Sequence, residues 1–155
     1  MDWYLTVKAA HIISSTVLFG TGIGIAFFMF RSCFSGHLQE RYYAASNTVL
    51  ADYLFTLPAV VIQPLTGAWL LWKGGYSWTD AWLVWTYGLY ILAGLCWLPV
   101  VWIQQRLKTL LSDALLSGSE LPDSYHRLFN YWTILGLPAF ASLIMVFFLM
   151  VMKPA

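Results

Sequence analysis

Charge is what this chain has least of. Of its 155 residues, eight are Lys or Arg and seven are Asp or Glu, which makes 10% charged and a net charge of +1. No basic run is longer than a pair, so nothing supplies the extended positive field that a nucleic-acid partner needs, and that class is set aside. Cysteine is scarce too. Cys33 and Cys96 are too far apart in sequence for a disulfide framework or a metal-ligand spacing, and read as small buried thiols. HExxH, CxxC, a phosphate loop and a nucleophile elbow are all missing, so hydrolytic and nucleotide chemistry have no visible residues. A basic region ahead of the first apolar run is missing as well, and that run exceeds the roughly 7 to 15 apolar residues of a cleaved signal. The first helix is therefore expected to stay in the mature protein.

What is abundant is apolar. Hydrophobic residues make up 60% of the chain and aromatic residues 18%, and the mean hydropathy is +0.69. That composition fits a polytopic membrane protein forming one membrane domain over residues 1–155. An α-helix needs about 20 apolar residues to cross a hydrocarbon core of about 30 Å. Four stretches meet that length, at about 4–30, 49–72, 81–103 and 128–152, and together predict an all-α, antiparallel bundle of four transmembrane helices.

The segments between them follow local rules. SCFSGHLQERYYAASN reads as a polar, solvent-facing connection, partly helical. Pro58 and Pro64 interrupt the backbone bonding of the second span, which predicts a bend there. Gly74 and Gly75 mark a tight turn before the third span, whose leucine periodicity continues past the membrane to residue 116. SGSELPDS is a break, with Asp123 or Ser124 as the N-cap of the fourth span. Arg31, Arg41, Arg106, Lys108 and Arg127 fall in the connections after the first and third spans, whereas Lys8, Lys73 and Lys153 lie at the other end. The positive-inside rule then places both termini outside a bacterial inner membrane. Trp3, Trp69, Trp72, Trp78 and Trp82 at one boundary and Trp102 and Trp132 near the other form the expected aromatic belt.

His11 is the residue that stands out. An ionisable group inside a span costs a few kcal/mol on insertion scales, and such groups are functional candidates by default. It lies seven residues, roughly 10 Å, below the boundary at Tyr4. At matching depth the other spans present Leu65, Thr66 and Gly67, then Thr86, Tyr87 and Gly88, then Ser142 and Met145. Imidazole is the usual protein ligand to haem iron and thioether a known second one, while Gly67 and Gly88 would leave room for a macrocycle. The alternative is that His11 bonds Thr66 or Tyr87 and the glycines only allow close packing. Met145 is open to the same plain reading as a gap-filler. Lys8, one turn before His11, reaches either the interface or a haem propionate.

On the second span, Asp52, Thr56, Gln63 and Thr66 share one face, which should point into the bundle. Arg127 or Arg41 is the expected partner for Asp52. Gly20, Gly22 and Gly24 give the first span a face for a second copy or another subunit, and a redox partner is a further expectation. A His/Met pair also suits Cu(I), but a dense soft-ligand set is missing.

Lys8-Ala9-Ala10-His11, Arg31, Pro58, Trp82-Leu83 and Arg127-Leu128-Phe129-Asn130 resemble, in order and spacing, the small membrane proteins grouped with HemJ and CopD. The closest likeness is to a bacterial family of predicted integral membrane proteins of unassigned function. HemJ-type proteins are protoporphyrinogen oxidases that bind haem b, and the resemblance implies that His11 is the haem ligand. It departs at Thr86, where HemJ-type proteins have a required lysine in the third span. The resemblance thus carries the ligand and not the reaction. The expectation is a membrane protein that binds haem b through His11 in a redox or haem-handling role. A porphyrinogen oxidase and a cofactor-free interaction subunit are the alternatives.

Overall fold

A computed structural model describes residues 2–154 as four long helices, each apolar and long enough to cross a membrane: α1 Trp3–Ser32, α2 Leu38–Gly74, α3 Ala81–Ser117 and α4 Asp123–Met152. No strand occurs among the described residues. The fold is the all-α four-span bundle that the hydropathy predicts, and consecutive helices run antiparallel. Each helix is longer than its span: α1, with 30 residues, extends about 45 Å at the α-helical rise. Asp2 caps α1, its carboxylate accepting from Tyr4 N–H at 3.0 Å. Gly75 and Gly118, at φ of 69° and 65°, stop α2 and α3 in the left-handed conformation that glycine adopts without steric cost.

The boundaries differ from the sequence reading at several points. LQERYYAASN is fully helical and runs without a break into the second span, because Ala45 and Thr48 bury themselves against the neighbouring helices there. Pro122 is the cap of α4, and Asp123 is instead its first residue, where a carboxylate favours the helix dipole. Trp82 and Trp132 are not belt residues, since both are buried. Trp82 meets Tyr76 edge-on at 5.8 Å and Trp132 packs on Phe129 at 5.3 Å. Trp3, Trp72, Trp78 and Trp102 remain exposed.

Both prolines of α2 have a visible accommodation. Pro58 has no N–H to give to the carbonyl four residues back. Directly before it, Asp52–Thr56 form a π turn in which Leu57 N–H reaches the carbonyl of Asp52, five residues away. Pro64 frees the carbonyl of Val60, which accepts from the Tyr90 hydroxyl of α3 at 2.7 Å.

The tightest packing lies at the end away from the termini, where Met29, Ala45, Leu107, Leu111 and Tyr125 are almost fully buried. Arg41 closes this end by donating to the carbonyls of Cys33 at 2.9 Å and Ser35 at 2.8 Å. Phe28, Trp85, Leu95, Leu137 and Phe148 are exposed along the outside, as lipid-facing positions are.

Candidate functional site

His11 sits on the face of α1 that packs against the terminal half of α2. Its Nδ1 lies 2.7 Å from Thr66 Oγ1. Thr66 Oγ1 also lies 2.6 Å from the carbonyl of Ile62, and a hydroxyl has one hydrogen to give. When that hydrogen goes to the carbonyl, which accepts only, the Thr66 oxygen accepts from His11 Nδ1–H. In that tautomer Nε2 keeps its lone pair. On the same face Gln63 Nε2 donates to the His11 carbonyl at 2.8 Å. Gly67 completes the seat, because a Cβ built there would stand 3.4 Å from His11 Cε1.

Depth counting therefore brought the right part of α2 to His11. Other residues of the same layer point elsewhere. Thr86 is buried on α3 with its hydroxyl donating to the carbonyl of Trp82 at 2.7 Å. Gly88 is exposed, and a Cβ there meets nothing within 4 Å. Met145 is 53% exposed on α4, and Lys8 is exposed on α1. His37 and His126 are exposed at the opposite end. Among the described residues no three His, Cys, Asp or Glu side chains converge on one point. Gly22 is the α1 glycine that α4 uses, with a Cβ there 3.3 Å from Phe140, while Gly20 and Gly24 have nothing within 4 Å.

The opposite half of α2 holds a second polar group, which the sequence reading underrated. Asp52 and Thr56 are each 4% exposed and Gln104 of α3 is 2% exposed. Neither Arg41 nor Arg127 pairs with Asp52, because Arg41 is held by backbone carbonyls and Arg127 is exposed. The side chains of Thr56, Gln104 and Trp97 surround the Asp52 carboxyl instead. Asp52 Oδ2, Thr56 Oγ1, Trp97 Nε1, Gln104 Oε1 and Trp132 Nε1 all lack a hydrogen-bond partner. These five residues line a cavity of about 290 Å³ between all four helices. His11 does not line it.

The two cysteines are free. Burial pushes the Cys33 thiol above its usual range, against the opposing pull of the Arg41 charge, which keeps it protonated and unreactive.

Comparison with known proteins gives the family. The family described as "Predicted integral membrane protein (DUF2269)" matches residues 5–154, and the chain belongs to it. No curated protein matches the chain, and no solved structure does.

Proposed function

For a member of this integral membrane family, we propose binding of haem b through His11 Nε2, in a redox or haem-handling role within the bilayer. The observation that carries this reading is the 2.7 Å contact of His11 Nδ1 with the Thr66 hydroxyl, which in the Nδ1-protonated tautomer leaves Nε2 as a free, oriented electron-pair donor. Metal-ligating imidazoles characteristically hold their other ring N–H in such a bond, which fixes ring and tautomer together. The donor set thus fits a haem iron. Gly67 keeps α2 flat beside the ring, and Gln63 ties the α1 backbone at the same turn. Lys8, exposed one turn nearer the terminal end, offers a charge to a propionate. Because His11 does not line that cavity, the group would sit at the half-exposed edge of the bundle. A bound haem would supply one-electron chemistry there, and the chain's part is to hold and orient it.

The resemblance to HemJ and CopD stays within this proposal. It supports haem binding and gives no support to the oxidase reaction, since Thr86 is buried and bonded to its own helix where that reaction calls for a lysine. We also place the protein in a bacterial inner membrane with both termini outside, because Arg31, Arg41, Arg106, Lys108 and Arg127 all lie toward the end away from the termini.

A second reading rests on the same bonds. The His11–Thr66 and Gln63–His11 contacts by themselves clamp α1 to α2, as polar groups do between membrane helices. Purification from a haem-sufficient host separates the two. A Soret band that His11→Ala abolishes supports the haem reading. A colourless protein that His11→Ala destabilises supports the clamp alone.

A further inference from the structure

The cavity beside Asp52 carries an inference that is independent of His11. Three features meet there. The first is a void of about 290 Å³, roughly twice the 150 Å³ of an engineered cavity that holds benzene, with walls that are almost wholly apolar. The second is the π turn at Asp52–Thr56, a rare backbone form frequent at functional sites, which carries both Asp52 and Thr56 on the cavity wall. The third is the set of polar atoms with no partner. Buried polar side-chain atoms are almost always bonded, so several orphans lining one void mark a place that something else completes.

The kind of partner follows from counting. Asp52 Oδ2 and Gln104 Oε1 are unpartnered oxygens, Trp97 Nε1–H and Trp132 Nε1–H are unpartnered donors, and Thr56 Oγ1 can do either. A hydroxyl group meets both needs, donating to an acid oxygen and accepting from an indole. It also brings no charge, which suits a site whose other walls are mostly apolar, Leu18, Ile25, Val60, Ala93 and Phe140 among them. The route is visible as well. Phe30 and Leu137 line the cavity and are exposed on the outer surface, so the void reaches the acyl chains between α1 and α4. Gly22, Gly94 and Gly136 line it without filling it.

We propose that this cavity binds a lipid-soluble ring compound bearing a hydroxyl group, of the quinol or phenol type. Its ring oxygen lies between Asp52 and Trp97, and its apolar tail leaves between α1 and α4. Calorimetric titration of the full chain in lipid nanodiscs tests this, using a decyl-substituted hydroquinone, decylbenzene and decylamine as probes.

The hydroquinone is expected to saturate one site, with decylbenzene at least tenfold weaker. Asp52→Leu should weaken hydroquinone binding tenfold or more, and so should Gly94→Leu and Gly136→Leu. A Cβ at either glycine meets nothing within 4 Å and both glycines line the cavity, so these two variants add bulk at its wall and keep the test valid if Asp52→Leu does not fold. Gly20→Leu, at an exposed position, should leave binding unchanged. Equal binding of decylbenzene would reduce the site to a plain apolar void and overturn the proposal. Tighter binding of decylamine, or a hydroquinone affinity untouched by Gly94→Leu, would overturn it too.

Discussion

The two halves of α2 carry similar side chains and treat them in opposite ways. Toward the termini, Gln63 and Thr66 each have a partner on α1, and a Cβ on Gly67 would already touch the His11 ring at 3.4 Å. Toward the other end, Asp52 and Thr56 face a void and leave polar atoms unmatched. The difference lies in the neighbours rather than in the stripe itself. One half meets a histidine and a backbone carbonyl at close range, whereas the other meets Gly22, Gly94 and Gly136, which cannot fill the space. A satisfied seam holds helices together, and an unsatisfied one waits for a ligand.

Paired glycine substitutions break this comparison most sharply. Gly67→Leu drives side-chain atoms into the His11 ring, and overpacking of this kind costs about 1–3 kcal/mol. Gly94→Leu enters open space and gains about 1 kcal/mol in helix propensity. Thermal unfolding in detergent should therefore show Gly67→Leu well below the wild type and Gly94→Leu at or above it. If the two shift equally, the halves do not differ as described.

Removing one bond at a time gives smaller effects. Gln63→Leu loses the bond to the His11 carbonyl and should lower stability by about 1 kcal/mol. Thr66→Val removes the hydroxyl bonded to His11 Nδ1 and should cost about 0.6 kcal/mol, the mean for side-chain hydrogen bonds within membrane bundles. Chemical unfolding of both variants and their double mutant should show coupling, since the two bonds hold one histidine.

The smallest effect lies outside the membrane. Lys153 donates to the Tyr76 hydroxyl at 2.7 Å and pulls its ionisation below the usual tyrosine range, by that bond first and by its charge second. A folded-state value below the unfolded one means that the link adds stability only as pH rises through the lowered value toward 10, and none at neutral pH. An ultraviolet titration should show one early tyrosinate that Tyr76→Phe removes and Lys153→Ala moves to higher pH.

Depth was legible in the sequence and rotation was not. Counting 1.5 Å per residue set Thr66 and Gly67 at the level of His11, and the structure puts both against it. The same count set Gly88 and Met145 at that level, yet both are exposed. In a bilayer the lipid-facing and buried faces of a helix are both apolar, so hydrophobic periodicity does not say which way a residue turns. Polar spacing was the better guide: Asp52, Thr56 and Gln63 are all buried, as their shared face required. The π turn was foreshadowed only by Pro58. The cavity was invisible because it consists of missing side chains contributed by three helices.

The haem content of the purified chain, measured per polypeptide by pyridine haemochrome, tests the central claim most directly, with wild type, Thr66→Val and His11→Ala compared. The account predicts haem in the wild type, a weakened complement in Thr66→Val where the ring loses its anchor, and none in His11→Ala. Equal haem in the wild type and His11→Ala, or none in either, would contradict it.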